Sequence, residues 1–415
     1  MTTTSAAPVS SSGEDLSIGM ATVLRMLFQQ VDLMPKWDEL QARISANHRD
    51  AVALHDASLI LQGLGKTDLA LETLRTALKY QRTYKVVFGT GRGPRILAFV
   101  TVGDFMANTP VGFLLAGSEA TLLLHYVDAD TRDLRDVPAH DVAMVAVAES
   151  ETNAPVLRRL HLLTQGWQRP VLNQRADMIA RLTRDGVSAM FADEPDILSP
   201  PTWRAGRADL MLLANNMKRL PDLFENASFP VIIRPIGTHA GGGLDRLESA
   251  ADLVAYLQAE QADSFYLSPF IDYSGPDGRF TKLRVVQIDG KPFASHLAVS
   301  DHWIVHYLSA GMADDPAKRA IEAHWMATFD EDFARRHARA FQRMHDTVGL
   351  DYFGYDCAEL PDGRLLLFEL DVAMVVHDMD SEEVYPYKRP TMRKLFDAFI
   401  AMVEARASSG TTAPV

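Results

Sequence analysis

Apolar residues recur at two different spacings along the chain. Over residues 15–81 they lie three or four positions apart, notably in 51–64 and, after Gly65, in 67–81, which predicts helices. From Thr83 onward, short runs rich in β-branched and aromatic residues alternate with helical patterns such as 155–164. Strands that alternate with helices predict an α/β layer with a parallel sheet. The first strand-like runs are 84–88, 95–100, 121–126 and 142–147.

The segment 67–81 resembles the second helix of a tetratricopeptide hairpin. Repeat arrays need about three copies to bury a continuous core, and one copy is visible here. The alternative is a small helical cap, and in either case the helices would offer a surface to a protein or peptide partner. The residues that carry the pattern are Leu69, Ala70, Leu74, Ala77 and Leu78.

Composition narrows the class of protein. The 415 residues are 47% hydrophobic and 23% charged, as in globular domains, and the net charge of −13 argues against nucleic acid as the main partner. Cys357 is the only cysteine, so a disulfide framework is excluded and a cytoplasmic location is expected. No apolar run is as long as a membrane span, and residues 1–14 lack the pattern of a signal peptide. The ends, 1–14 and 406–415, are predicted to be disordered.

Three segments before residue 210 are rich in turn residues. FGTGRG at 88–93 follows a strand, but it lacks the spacing of a dinucleotide-binding loop. Residues 169–187 predict a short strand, an Asn and one amphipathic helix. Pro200 and Pro201, followed by Thr202, predict a stiff, extended entry into the next helix.

Two segments with candidate phosphate and purine contacts follow. In 229–247 a buried strand ends in Arg234 and leads into the loop 237–243, whose consecutive glycines let backbone N–H groups approach phosphate oxygens. The alternative is a hairpin turn with a surface arginine. In 265–272 a strand bends at Ser268, and a strand edge with free backbone groups could hold a purine there. The alternative is a core strand.

A cationic strand face is predicted in 280–300. Asp289 and Gly290 indicate a hairpin turn between two strands. Lys282 and Arg284 are two residues apart and therefore lie on one face of the first strand, with His296 on the returning strand. Such a face suits a triphosphate or an anionic substrate, and the alternative is a solvated strand face.

Three carboxylates lie in 354–378. Asp356 is on one predicted strand, and Glu369 and Asp371 share a face of the next, after a turn at Asp362. Carboxylates at close range repel unless a cation lies between them. Oxygen ligands of this kind suit Mg²⁺ bound to nucleotide phosphates, so the sequence predicts a magnesium–nucleotide site.

In this order and spacing, the segments resemble the ATP-grasp superfamily over about residues 167–402. The glutathione-synthetase-like and ribosomal-protein-modifying glutamate ligase branches are the most similar, since PVLN at 170–173 and PPT at 200–202 match their entry into the first ATP-grasp subdomain. The resemblance implies an α/β fold, of the α+β ATP-grasp type. It divides the chain into a helical domain (15–82), a pre-ATP-grasp α/β domain (83–168) and an ATP-grasp domain (169–405) with the nucleotide between its two subdomains.

The resemblance also assigns roles to individual residues. Arg234 takes the place of the residue that contacts the α-phosphate, Arg284 that of the transition-state arginine, and Asp272 that of the ribose-binding acid. Asp356, Glu369 and Asp371 map to the ligands of one or two Mg²⁺ ions. Further ATP contacts map to Gly237, Thr238, His239, Gly241, Gly242 and Gly243 in the glycine-rich loop, to Tyr266, Leu267, Ser268, Phe270 and Ile271 in the hinge around adenine, and to Lys282.

The chain departs from the family pattern at several places. Arg234 replaces the usual Lys, the hinge lacks its usual Glu, and Asp371 replaces an Asn. After Asp371, VAMVVHD replaces a small polar turn near which acceptors bind in the family, so the resemblance leaves the substrates open.

Histidines cluster in the same segments. His302 and His306 would share a face if DHWIVHY formed an extended strand. Contacts to a substrate carboxylate, ordinary packing and a transition-metal site are the three interpretations. Cys357 points away from Asp356 on a regular strand and is interpreted as a core residue. The candidate substrate contacts are His296, His302, His306 and His377.

The activity that the resemblance implies is an ATP-dependent ligase. The γ-phosphate passes to a carboxylate, and an amine, thiol or hydroxyl then displaces phosphate, with small-molecule or peptide substrates in peptide modification or secondary metabolism. One alternative is a kinase of the same fold acting on a small-molecule hydroxyl, and another is a non-catalytic ATP-binding scaffold. The fold often forms homodimers, which makes a homodimer one expected assembly.

Overall fold

The computed structural model describes residues 16–238 and 241–409. Contacts divide the chain into two units. The first contains Met1–Val147, Leu162–Gln174 and Phe399–Val415, and the second contains Ala148–His161 and Arg175–Ala398. The predicted segments 15–82 and 83–168 thus fall largely in one unit, and their boundary as separate domains stays a prediction.

The first unit begins with helices, as the apolar spacing predicts. Turns interrupt the predicted helical stretch, and α3 is buried along its length from Ala51 to Gln62, consistent with its apolar composition. The Asp50 side chain caps this helix by accepting a hydrogen bond from the Ala53 N–H. The likeness to a tetratricopeptide hairpin stays a prediction. The helices are α1 (Met20–Phe28), α2 (Met34–Ala46), α3 (Ala51–Gly63) and α4 (Thr67–Leu78).

A mixed sheet follows and confirms the predicted α/β layer. Its strands are β1 (Thr83–Val87), β2 (Arg95–Val100), β3 (Thr121–Tyr126), β4 (Val142–Val145) and β5 (Val171–Leu172), with the short helix α5 (Val111–Leu114) between β2 and β3. The strand order is β1-β3-β2-β4-β5. All neighbours run parallel except β1, which is antiparallel to β3. In the loop 88–93, Thr90 donates to Glu119 from its backbone N (2.5 Å) and its hydroxyl (2.6 Å), so this glycine-rich loop packs on its own unit.

A buried polar cluster joins the start of the described chain to α3. The Asp56 carboxylate accepts hydrogen bonds from Ser17 Oγ (2.5 Å) and the Ile18 N–H (3.0 Å). The neighbouring His55 stacks on Tyr84, with ring centroids 3.9 Å apart. These contacts fix residues 17 and 18 against the helix.

Asp56→Ala is expected to destabilise the first unit by at least about 2 kcal/mol, because it leaves buried donors without partners. Calorimetry of this variant beside Glu72→Ala, which removes an exposed acid from α4, measures the difference. Equal melting temperatures for the two variants would contradict the assignment of Asp56 as a structural anchor.

The second unit contains the remaining elements, and α6 and α15 continue from one unit into the other. Its helices are α6 (Ala154–Leu163), α7 (Ala176–Ile179), α8 (Arg184–Met190), α9 (Arg207–Ala214), α10 (Leu220–Leu223), α11 (Ala250–Ala259), α12 (Pro316–Thr328), α13 (Phe333–Arg336), α14 (Ala338–Val348) and α15 (Lys388–Ser409). Its strands are β6 (Ile197–Leu198), β7 (Trp203–Gly206), β8 (Val231–Pro235), β9 (Asp245–Leu247), β10 (Ser264–Pro269), β11 (Phe280–Ile288), β12 (Lys291–Ser300), β13 (Tyr352–Glu359) and β14 (Leu365–Asp371).

Two local predictions for this unit were wrong. The single helix predicted after Asn173 is divided into α7 and α8, because Thr183 caps a new helix by accepting from the Gly186 N–H. Pro200 and Pro201 lead into β7 and not into a helix, because residues 203–206 pair with β10.

The strands of the second unit form two sheets. In the first, ordered β7-β10-β8-β9, one face packs on a core that includes Leu210, Leu253 and Phe265. The second is ordered β12-β11-β13-β14-β6. The predicted hairpin turn between β11 and β12 is confirmed, with φ of 50° at Asp289 and 77° at Gly290. Among the described residues, no helix combines the length and apolarity needed to span a bilayer.

Candidate functional site

A row of polar side chains crosses the second sheet. His296 on β12 pairs with Arg284 on β11, Arg284 with Asp356 on β13, and Asp356 with Glu369 on β14. Directly opposed residues of antiparallel strands project to the same face, so the four side chains lie side by side. The sheet therefore brings together residues from two of the predicted chemical segments, 280–300 and 354–378.

Asp356 is the centre of this row. Its side chain is 1% exposed and accepts from Lys282 Nζ (2.9 Å) and from Arg284 Nε (2.7 Å) and Nη2 (3.0 Å). Burial alone would raise the pKa of Asp356, but Arg284 and Lys282 outweigh burial and hold the pKa well below its usual range. Asp356 is consequently a carboxylate held between two cations.

The other two predicted metal ligands have different surroundings. Glu369 accepts a hydrogen bond from Arg184, which also donates to the Phe368 carbonyl (3.0 Å). Asp371 accepts from the Ala373 N–H (3.1 Å), and burial together with the Glu369 charge raises its pKa to about 6. Arg184 was not among the site residues predicted from the sequence. The one sequence feature that could have indicated it is its position directly after Thr183, which caps α8.

Two acidic side chains, Asp371 on β14 and Glu149 near it, form no ion pair among the described residues. Burial and the Asp371 charge raise the pKa of Glu149 to about 7. Within the described ranges, no group of three or more His, Cys, Asp or Glu has the arrangement of a metal centre, because Asp356 turns to Lys282 and Arg284. The triad as a metal site stays a prediction. Carboxylates whose ionisation is opposed by burial and by each other are nevertheless a donor set that fits a hard cation such as Mg²⁺.

A second row lies on the other sheet. Arg204 on β7 pairs with Tyr266 on β10, and Tyr266 with Arg234 on β8. Arg204 lies over the Tyr266 ring at 5.2 Å, donates to its hydroxyl (2.9 Å) and forms ion pairs with Asp185 (2.9 Å) and Glu151 (2.6 Å). This row occupies the sheet face opposite the apolar core.

Arg234 is a buried cation among neutral partners. It is 9% exposed and donates to the backbone oxygen and the hydroxyl of Thr238. In the described part of the chain no carboxylate forms an ion pair with it. Burial, and next the charge of Arg184, lower its pKa to about 10. A buried guanidinium that forms no ion pair is a ready site for an anion.

The glycine-rich loop connects β8 to β9. Gly237, Gly241 and Gly243 have φ of 81°, 77° and 63°, which other residues rarely adopt. A Cβ at Gly243 would lie 2.6 Å from the Pro235 ring, so this position requires glycine. Gly242 lies in the same turn, whereas His239 lies outside the described residues. β8 and β9, on either side of the loop, pair antiparallel, and the role of the loop in phosphate binding stays a prediction.

The hinge differs from its prediction as a free strand edge. β10 lies between β7 and β8, and the backbone is free on the β7 side only from Ser268 onward. The Leu267 side chain packs in the core, so only its backbone could contact a ligand. Phe270 lies 3.9 Å under the Arg246 guanidinium, and Ile271 packs on a neighbouring apolar cluster.

Asp272 follows the hinge and accepts a hydrogen bond from the Ser274 N–H (2.9 Å). That bond, together with the Ser274 hydroxyl, lowers its pKa, so the carboxylate is ionised over a wide pH range. Its proposed contact with ribose stays a prediction, as do the adenine contacts of the hinge.

The histidines are not equivalent. His302 and His306 do not share a strand face, because β12 ends at Ser300 and residues 301–304 form bends. His302 is exposed, whereas His296 packs 4.7 Å from Tyr307. Burial, and then neighbouring cations, lower the pKa values of His296 and His306, and burial also lowers that of His377. Neutral histidines suit hydrogen bonding better than charge pairing with a carboxylate, and their substrate contacts stay predictions.

A cavity of about 180 Å³ is lined in part by Tyr385 and Lys388, which lie against the ring of Tyr307, and Tyr307 in turn packs on His296. Its lining carries both signs of charge. The cavity residues are Asp378, Asp380, Glu382, Tyr385, Lys388, Arg389 and Met392.

Cys357 is buried in the sheet, which confirms its interpretation as a core residue.

No family model and no curated protein matches the chain. Among solved structures it is similar to the D-alanine–D-alanine ligase of Bacillus anthracis complexed with ATP, at 11% identity and a TM-score of 0.45, over 76% of this chain and 99% of that one. The VanG D-Ala:D-Ser ligase of Enterococcus faecalis gives 10% and 0.45, over 75% and 100%. A RimK domain ATP-grasp protein of Sphaerobacter thermophilus gives 14% and 0.39, over 74% and 99%. At these TM-scores the likenesses carry no argument about activity.

Proposed function

We propose that the second unit binds magnesium–ATP and uses it to join a carboxylate to an amine through an acyl-phosphate, in peptide modification or secondary metabolism. One observation carries the proposal. The buried cation Arg234 forms no ion pair within the described residues, and the charges of Arg184 and Glu369 both change its pKa. Asp371, two residues after Glu369 on β14, and the nearby Glu149 form no ion pair within the described residues. A ligand with phosphates and a divalent cation supplies both missing charges.

The two rows of polar side chains would then have different roles in the reaction. Arg234 and Arg184 would hold phosphate oxygens, and Glu369 with Asp371 would hold Mg²⁺, which neutralises charge on the phosphates when bound. Arg284, fixed by Asp356, would stabilise negative charge on the phosphoryl group as it moves to the substrate carboxylate. The nucleophile of the second substrate would then displace phosphate from the acyl-phosphate.

Product analysis tests this proposal. The protein is incubated with ATP, Mg²⁺ and pools of carboxylic acids, amino acids and peptides, and ADP and free phosphate are measured separately. A ligase releases both together, and only with particular substrate pairs. ADP without free phosphate would indicate a kinase, and failure to bind ATP at all would overturn the proposal.

Arg234→Met is expected to weaken ATP binding at least about tenfold, since an arginine–phosphate contact is charge-assisted and partly desolvated. The ligand-free protein is expected to be as stable as the wild type or more so, because no carboxylate loses its partner. Calorimetric titration with ATP and urea unfolding measure the two quantities.

The matched control for this variant is Arg339→Met, which removes a highly exposed arginine of the same unit. It is expected to change neither quantity appreciably. Unchanged ATP affinity in Arg234→Met would remove the main support for a phosphate site.

A further inference from the structure

Lys388 is a buried lysine outside the two rows. It is the first residue of α15, and its side chain is 5% exposed. Its ammonium lies 2.7 Å from Asp380 and 3.4 Å from Glu322, donates to the Tyr307 hydroxyl and lies 3.9 Å from the centre of that ring. Removing an ammonium from water is costly, so its two carboxylates and the aromatic ring are needed to hold it in place.

One branch of these contacts leads to the His296 end of the first row. Glu322 is fully buried and accepts from the Leu297 N–H (3.0 Å), next to His296 on β12. Tyr307, held by Lys388, packs its ring 4.7 Å from His296. Lys388 thus fixes the surroundings of His296 from two directions.

The other branch leads to Arg284. Arg284 Nη1 donates to the Val375 carbonyl (3.2 Å), so the segment 375–380 forms one side of the arginine's surroundings. Asp380, at the end of this segment, is bound by Lys388. A single ammonium therefore anchors segments that contact both His296 and Arg284.

We propose that Lys388 is a positioning residue, which holds Tyr307 and the segment 375–380 so that Arg284 and His296 face the reacting groups. This inference rests on the proposed ligase function. Lys388 contacts neither Arg284 nor Asp356 among its described partners, and it acts through Tyr307, Glu322 and Asp380. Small displacements of groups around a reacting centre lower the rate by about 10²-fold. Mutation of residues that hold metal-ligating side chains in place lowers activity by about 10–100-fold.

Lys388→Met tests the proposal, with Lys318→Met as the matched control. Lys318 is also buried in this unit, but its ammonium donates to the Ala310 carbonyl (2.9 Å) and does not reach Tyr307. Hydrogen exchange is measured for residues 305–309 and 375–380, and kcat and the KM for ATP are measured for phosphate release.

In Lys388→Met we expect faster exchange in both segments and a kcat lower by about 10–100-fold at an unchanged KM for ATP. Lys388→Arg, which keeps the charge, is expected to recover most of both. Should Lys388→Met not fold, Glu322→Gln removes one of the two counter-charges of Lys388 and is expected to give the same pattern with a smaller change.

Several results would overturn the inference. These are unchanged exchange in both segments, an equal fall of kcat in Lys318→Met, or a change confined to KM. If the wild-type protein releases no phosphate with any substrate pool, the ligase proposal fails, and the exchange data alone then decide whether Lys388 holds these segments.

Discussion

The double variant Glu369→Ala, Asp371→Ala is expected to lose ATP-dependent turnover by about 10³-fold or more, since a metal that neutralises phosphoryl charge contributes several kcal/mol. Glu369 belongs to the first row, and Asp371 lies two residues further along β14. Burial together with the Glu369 charge raises the pKa of Asp371. Removing the two carboxylates removes the proposed ligands of Mg²⁺. Release of ADP and phosphate, followed over a range of Mg²⁺ concentrations, measures the effect.

A matched control replaces Glu331 and Asp332, an exposed acidic pair of the same unit, by alanine. This variant removes the same formal charge and is expected to keep full turnover, because exposed ion pairs contribute little. Turnover that survives in the Glu369, Asp371 variant at every Mg²⁺ concentration would place the metal elsewhere.

Asp356→Ala is expected to lower the free energy of unfolding by about 3–5 kcal/mol, because it leaves uncompensated buried charge. Lys282 and Arg284, whose side chains are each 17% exposed, both lose their shared carboxylate. Urea unfolding of Asp356→Ala beside Asp346→Ala, which removes an exposed acid from α14, measures the loss. A midpoint equal to that of the control would mean that Asp356 is not the anchor of the row.

Strand alternation explains why much of the first row could be predicted. The side-chain period of a strand is two, so the spacing of Lys282 and Arg284 fixes a common face once the turn at Asp289 and Gly290 is recognised. The same argument places Glu369 near Asp356 across the next hairpin. Local turn chemistry and periodicity were sufficient at these positions.

Contacts between distant segments could not be predicted in this way. Arg184 reaches Glu369 across 185 positions of the sequence, and no local pattern encodes that approach. The pairing of β10 on both sides likewise depends on β7, which the paired prolines before it had suggested would be a helix. At the site, Asp356 was predicted to be a metal ligand together with Glu369 and Asp371. Its ion pairs with Lys282 and Arg284 depend on side-chain conformation and could not be predicted from the sequence.

The position of Cys357 has a practical consequence. Its thiol is the only one in the sequence, and it is fully buried in β13 beside the centre of the first row. Alkylating reagents can therefore modify the Cys357 thiol only when the sheet opens. The rate of modification consequently reports how readily the sheet opens. Ligands that bind the two rows would slow that reaction, which would report their binding without any knowledge of the substrates.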